Sequence, residues 1–277
     1  MSRRDFDPRY ISKQLHSLDA QLHRPITVYA AGGFVMAVKG LKVGTKDIDV
    51  IVEDKTQLFS LMGGLQSLGY HIIARPVMET VYRKMAAQAI LENPDGFRWD
   101  VFLRVVANKL FLSKGMKARA KAYFNGANLA ILTLSGEDIF LMKGVTERDR
   151  DLEDMFRVAR AGIDYDTVYQ ECLSQSEETE RIWESGLYDN CLQLKEKYNL
   201  RVPFLTRLGK KAEQRIFLRI IGSEIRAGKK SKDSIAKVLA KGGLTSKDVK
   251  DIFKDLSEAG LIRILKGNVS IPKRKKN

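Results

Sequence analysis

Two aspartates lie in a short run of residues that otherwise reads as an apolar β-strand. Asp47 and Asp49 alternate with Ile48 and precede Val50, Ile51 and Val52. Residues two apart in a strand project from the same face, so both carboxylates point together. Aspartate is disfavoured in strands, and close carboxylates repel. The pattern predicts a bound cation, Mg²⁺ or Mn²⁺, because a hard ion takes carboxylate oxygens and leaves positions for substrate phosphates.

A third carboxylate is expected from a neighbouring strand. Residues 93–96 (Asn-Pro-Asp-Gly) are a strong turn signal, and the runs 81–91 and 97–106 on either side are predicted to form a hairpin. Asp100 falls in the second arm, among aromatic and aliphatic neighbours. Three carboxylates could hold two metals about 3.5 to 4 Å apart and clamp both oxygens of a displacement at phosphorus. Asp100 therefore joins the pair as a predicted metal ligand and catalytic residue.

A glycine pair precedes the aspartates by about 14 residues. Gly32 and Gly33 separate a strand predicted over 26–31 from a short helix that ends at Gly40. Such a turn lets the backbone approach a ligand, and the helix that begins there directs unpaired N–H groups at an anion. The phosphates of a nucleotide suit this turn. Three further residues could reach a triphosphate from the intervening loop: Lys39, Thr45 and Lys46.

The order of these motifs, Gly32-Gly33, then residues 45–49 (Thr-Lys-Asp-Ile-Asp), then Asp100, resembles the DNA polymerase β-type nucleotidyltransferase superfamily over residues 30–106. Within it the chain is most similar to small stand-alone prokaryotic and archaeal members. The resemblance implies an α/β (α+β) fold with a short, mixed, twisted sheet. It also implies transfer of a nucleoside monophosphate from a nucleoside triphosphate such as ATP, with the three aspartates as metal ligands. Many members have Gly-Ser, so here the backbone of Gly33 must serve without a hydroxyl.

The rest of the chain is predicted to be mainly helical. A capping box at Ser135 starts the middle region. The last 65 residues are predicted to form three helices and a short strand pair, an order that resembles a winged helix. The predicted domains are a catalytic domain over 1–134, a helical region over 135–208 and a basic winged-helix-like domain over 209–277.

Positive charge is concentrated at the C-terminal end. Of a net +14, residues 210–277 carry 19 Lys and Arg against 7 Asp and Glu, hence +12. Such a surface favours a phosphate backbone as partner. Lys247, Lys250 and Lys254 share a face of the third predicted helix and are expected to bind nucleic acid, although a solvated face of a protein-binding module stays open. An RNA acceptor such as tRNA is favoured, and a protein acceptor stays open.

Some residues permit two interpretations. Lys143 and Arg148 could contact the triphosphate, but salt bridging along a helix, as between Arg150 and Asp154 or Glu153 and Arg157, is favoured. Aromatic residues and two cysteines of the middle region are predicted to be structural: Trp183, Tyr188, Tyr198, Cys172 and Cys191.

Other function classes fit less well. A glycosyltransferase with an Asp-x-Asp motif would need a larger nucleotide-binding domain before that motif than the residues upstream of Asp47 allow. The remaining rival is a catalytically idle nucleotidyltransferase fold that serves as a nucleic-acid-binding regulator or antitoxin-like module. No apolar run approaches the ~18 residues of a membrane span, and the N-terminus lacks a secretory signal, so a cytoplasmic protein is expected. The preferred nucleotide and the oligomeric state stay open.

Overall fold

The computed structural model describes residues 5–73, 87–106, 109–146 and 148–272. The chain divides into two compact units, one made of residues 1–181 and 190–202, the other of residues 182–189 and 203–277. The division into three domains at 134 and 208 is finer and stays a prediction. None of the helices in the described ranges is both long and apolar enough to cross a membrane.

The first unit begins by alternating helix and strand. Its opening elements are α1 (Pro8–Gln21), β1 (Ile26–Ala31), α2 (Gly32–Val38), β2 (Asp47–Val52) and α3 (Lys55–Ser67). The Asp7 side chain caps α1 by accepting the Tyr10 N–H at 2.8 Å. The strand, glycine turn, helix and aspartate-bearing strand therefore occur in the predicted order.

A mixed seven-stranded sheet forms the centre of this unit. The chain continues through β3 (His71–Ile72), β4 (Ala89–Glu92), β5 (Arg98–Leu103), β6 (Val105–Val106), β7 (Leu110–Phe111), α4 (Lys114–Arg119), β8 (Lys121–Asn125) and β9 (Leu129–Thr133). The order across the sheet is β3-β4-β5-β2-β1-β9-β8, while β6 and β7 form a separate ladder. β1 is parallel to β9 and β2 is parallel to β5, whereas the other neighbouring pairs are antiparallel.

The predicted hairpin around residues 93–96 is present. β4 pairs with β5 antiparallel and places Ile90 opposite Asp100. Of the third strand that the sequence predicts over roughly residues 70–74, His71 and Ile72 pair as β3. Residues 74–86 lie outside the described part of the chain. They include the predicted end of the third strand and the start of the first hairpin arm.

Close packing between α1 and α3 depends on a residue without a side chain. A Cβ at Gly64 would lie 3.0 Å from methyl carbons of Leu18 and Leu22. In β2, Ile48 and Val50 are fully buried, whereas Asp47 and Asp49 are half-buried. The alternation of a two-residue period therefore leaves the aspartates on the more open side.

Four helices follow the sheet: α5 (Gly136–Gly144), α6 (Asp149–Arg160), α7 (Tyr165–Thr179) and α8 (Trp183–Tyr198). Ser135 and Asp138 form the predicted capping box at the start of α5. The helical stretch that the sequence predicts across 166–198 is present as α7 and α8, which are separated because Glu180 takes a left-handed conformation (φ +54°) that ends α7. Both cysteines are buried, and the Tyr198 ring stacks on Phe156 at 4.4 Å, so these residues contribute to the core.

The second unit has its own core. It contains α9 (Leu205–Arg226), α10 (Lys232–Lys241), α11 (Ser246–Glu258) and an antiparallel pair, β10 (Arg263–Leu265) and β11 (Asn268–Ser270). The order matches the sequence prediction, and the identification as a winged helix stays a prediction. Its core of buried residues consists of Ile221, Ile235, Leu239, Val249, Phe253, Leu256, Ile262 and Val269.

Candidate active site

Strand register brings two of the three predicted carboxylates side by side. In the parallel pair of β2 and β5, Asp49 is the partner of Asp100, and Asp47 is the partner of Arg98. Paired residues on neighbouring strands share a face of the sheet. On the other side of β2, Asp49 pairs with Ala31, the residue before Gly32. The aspartates and the glycine turn therefore meet at one place on the sheet.

The backbone of Gly32 lies directly against Asp49. Gly32 has φ +65°, and a Cβ built on it would lie 1.9 Å from Asp49 Oδ2. A side chain there would have to displace the Asp49 carboxylate, and the left-handed backbone also favours glycine. Gly33 differs, because its Cβ would lie 3.6 Å from Thr45 Oγ1, an ordinary contact distance. The first glycine is thus required by geometry, whereas the second has room for a methyl group.

The site is electrostatically unbalanced around Asp49. Burial and the nearby Asp47 carboxylate raise the pKa of Asp49 to about 7, although three cations, Lys143, Arg148 and Arg150, act in the opposite direction. Asp100 is only 3% exposed. Nearby protein cations therefore do not offset the cost of ionising this carboxyl, which is the situation that a bound cation relieves.

The chemistry of these residues fits a divalent metal ion, since all three offer the hard carboxylate oxygens that such an ion takes. Within the described ranges, no three His, Cys, Asp or Glu side chains are grouped closely enough to hold a metal as they stand. The carboxylates would have to turn toward an ion as it binds.

Thr45 shapes the entry to β2. Its hydroxyl donates to the Asp47 carbonyl at 2.7 Å, and its own carbonyl accepts the Phe6 N–H at 2.8 Å. Thr45 is 4% exposed, while Lys46 beside it is half-buried. The hydroxyl expected to reach a triphosphate is thus used in positioning the aspartate-bearing strand.

A small cavity of about 80 Å³ opens beside Asp49 and Gly32. Arg148 lines it, which places one of the two sequence-predicted cations next to the glycine turn. Lys109 and Met142 also line it and were missed by sequence reasoning, since neither belongs to a motif or a periodic pattern. The full lining is Ala31, Gly32, Asp49, Phe102, Val106, Lys109, Leu110, Met142, Val145, Thr146 and Arg148.

Lys143, the other predicted cation, is held in ion pairs. Its ammonium lies 2.6 Å from Asp151 and 2.9 Å from Asp154, and Asp154 also pairs with Lys42 at 2.8 Å. This favours the salt-bridging interpretation, but with partners outside simple helical spacing. Of the two predicted pairs, Glu153 with Arg157 forms at 2.6 Å. Asp154 instead binds the two lysines.

The remaining predicted residues lie elsewhere. Lys39 is exposed at the end of α2 and lines a different cavity of about 670 Å³, together with Leu41, Lys121 and Ser135 among others. Lys247, Lys250 and Lys254 are exposed on α11 in the second unit. The structure therefore brings together Gly32, Asp47, Asp49, Asp100 and Arg148.

Comparison with known proteins identifies the family of this chain. A family profile described as "Nucleotidyltransferase of unknown function (DUF6036)" matches residues 10–202, which include every residue of the site. No curated protein sequence matches the chain.

Solved structures resemble the chain only distantly. The lincosamide antibiotic adenylyltransferase LnuA, crystallised with lincomycin, shares 14% identity and a TM-score of 0.38, covering 56% of this chain and 98% of its own. ANT(2")-Ia in complex with adenylyl-2"-tobramycin shares 14% identity and a TM-score of 0.34, covering 66% and 98%. Neither likeness bears on the acceptor of this chain. The profile match covers well over half of the sequence, and the chain belongs to the DUF6036 family of nucleotidyltransferases.

Proposed function

We propose that this nucleotidyltransferase moves a nucleoside monophosphate from a nucleoside triphosphate to RNA, with Mg²⁺ or Mn²⁺ held by Asp47, Asp49 and Asp100. The observation that carries the proposal is the pairing of Asp49 with Asp100 directly beside the Gly32 turn. A metal bound there would offset the triphosphate charge and polarise the reacting phosphorus.

The residues of the chain have distinct parts in the proposed reaction. Arg148 binds the triphosphate from the cavity beside Asp49. The Gly32 and Gly33 backbone lies against the phosphates, and Asp100 accepts the proton of the acceptor hydroxyl. A bond forms between the acceptor oxygen and the α-phosphorus, the bond from that phosphorus to the bridging oxygen breaks, and pyrophosphate leaves.

RNA is favoured as acceptor by the uneven charge. The net charge of +12 over residues 210–277 compares with +2 over residues 1–209. Lys247, Lys250 and Lys254 are exposed on α11, whose opposite side is anchored in the core by Val249, Phe253 and Leu256. A helix with a positive face suits a phosphate backbone.

Incubation with each α-labelled nucleoside triphosphate, magnesium or manganese, and total cellular RNA is expected to place label in RNA. The Asp100→Asn variant should lose transfer by about a thousandfold, because a metal ligand and proton acceptor is removed. Label is followed separately into RNA and into protein. Label in protein alone would replace RNA by a protein acceptor. No transfer by the wild type, with RNA still bound, would favour the idle regulator.

Replacing Lys247, Lys250 and Lys254 together by Ala is expected to weaken RNA binding and to reduce its dependence on salt. Each phosphate contact contributes about 0.7 to the slope of log affinity against log salt for single strands, so the slope should fall by about 2. Filter binding over a series of salt concentrations measures both the affinity and this slope. The matched control replaces three exposed lysines of the first unit, Lys13, Lys55 and Lys195. Equal losses in both variants would mean that net charge alone attracts RNA.

A further inference from the structure

The turn between α5 and α6 is held by side chains from other elements. The Asn190 side-chain amide donates to the carbonyls of Gly144 and Thr146, both at 3.0 Å. The Lys109 ammonium donates to the carbonyl of Val145 between them. Three consecutive carbonyls therefore each have a side-chain donor that is at least 36 residues away in sequence.

The same turn is closed onto the start of α6. The Thr146 hydroxyl lies 2.5 Å from Asp151 Oδ2, and Asp151 also pairs with Lys143. The last carbonyls of a helix have no partner within that helix, and water usually satisfies them. Here Gly144 and Val145 are buried, so side-chain donors take the place of water at these carbonyls.

The turn and the residues that follow it border the candidate active site. Val145, Thr146 and Arg148 line the cavity that contains Asp49 and Gly32. Arg148 is two residues beyond the last restrained carbonyl. A long arginine side chain loses about 2 kcal/mol of rotamer entropy when it binds, and a fixed backbone lowers the further cost of placing it.

We propose that Asn190, with Lys109, is a positioning residue. These two side chains hold the turn over residues 144–146, so that Arg148 is placed to bind the triphosphate beside Asp49. This inference depends on the proposed function only for the role of Arg148. A single amide group bridges two carbonyls two residues apart, so its two N–H donors set the width of the turn. A side chain of the same size without donors cannot do this.

The test is a double-mutant cycle between Asn190→Leu and Arg148→Ala, read as the Kd for a nucleoside triphosphate with magnesium and no acceptor. Loss of the bridging hydrogen bonds should raise Kd about 10-fold in Asn190→Leu. In the Arg148→Ala background the same change should raise it little further, because the residue through which Asn190 acts is gone. Gln193→Leu, which removes an exposed amide from the same helix, is the control and should change nothing.

If Asn190→Leu does not fold, Lys109→Met replaces it in the double-mutant cycle with Arg148→Ala. Independent effects of Asn190→Leu and Arg148→Ala on Kd would overturn the inference, as would an unchanged Kd in either single variant. A wild type that binds the nucleotide but transfers nothing would refute the proposed function alone, since the binding cycle does not need turnover. A wild type that binds no nucleotide would overturn both.

Discussion

Asp49→Asn is expected to abolish nucleotidyl transfer and at the same time to make the protein more stable. Asparagine has the size of aspartate and keeps one oxygen, but it has no charge for a metal. Activity should fall about a thousandfold or more. Stability should rise because burial and the Asp47 carboxylate make the charged form of Asp49 costly, as its raised pKa of about 7 indicates. Residues that serve a ligand often destabilise the unliganded fold in this way.

The gain in stability from Asp49→Asn should depend on pH in a defined direction. The pKa of Asp49 is raised in the folded protein, so below about pH 4, where the carboxyl is protonated in both states, charge costs nothing. The penalty grows as pH rises from about 4 to about 7 and is constant above. One pKa unit corresponds to about 1.4 kcal/mol, and because Asp47 shares the repulsion we expect a gain of about 2 kcal/mol at pH 8.

Thermal unfolding at pH 4, 6 and 8 measures this gain, with and without magnesium. The ion should stabilise the wild type and leave Asp49→Asn unchanged, because only a ligand that binds the folded state raises its stability. Asp54→Asn is the matched control. The Asp54 pKa is lowered by hydrogen bonds from the Gln57 backbone N–H at the start of α3. That variant should be less stable near neutral pH. A lower melting temperature for Asp49→Asn would contradict the electrostatic account.

Gly32→Ala is expected to disrupt both the site and the fold around it. The added Cβ would lie 1.9 Å from Asp49 Oδ2, and the backbone at φ +65° disfavours any side chain. Either Asp49 moves or the turn opens, at a cost of about 2–4 kcal/mol. Transfer should fall at least about 100-fold, because a ligand and the phosphate-binding backbone are displaced together.

Gly33→Ala separates this steric effect from a general sensitivity of the turn. Its Cβ would lie 3.6 Å from Thr45 Oγ1, so the variant should fold with nearly wild-type stability. Thermal unfolding and the α-label transfer assay on both variants provide the comparison. Equal damage in the two variants would mean that the helix start, rather than the contact with Asp49, requires glycine.

Local chemistry explains which features were predictable from the sequence. The glycine turn, the aspartate-bearing strand, the hairpin around residues 93–96 and the Ser135 capping box each depend on a few adjacent residues. Their patterns follow from backbone geometry and hydrogen bonding within one turn. The break at Glu180 was not predicted, because a left-handed non-glycine residue carries no compositional signal there. The resemblance to nucleotidyltransferases was recognisable because the motifs behind it lie on these local elements.

By itself, the sequence determined the elements that carry the motifs, the nucleotidyltransferase family and the three carboxylates to consider. Only the tertiary structure decided which residues lie next to these carboxylates. The pairing of Asp49 with Asp100 depends on the register of strands about 50 residues apart. The ion pairs of Lys143 and the hydrogen bonds from Asn190 to the turn before Arg148 likewise join distant elements. Such contacts depend on how elements pack, and periodicity describes only the face that each element buries.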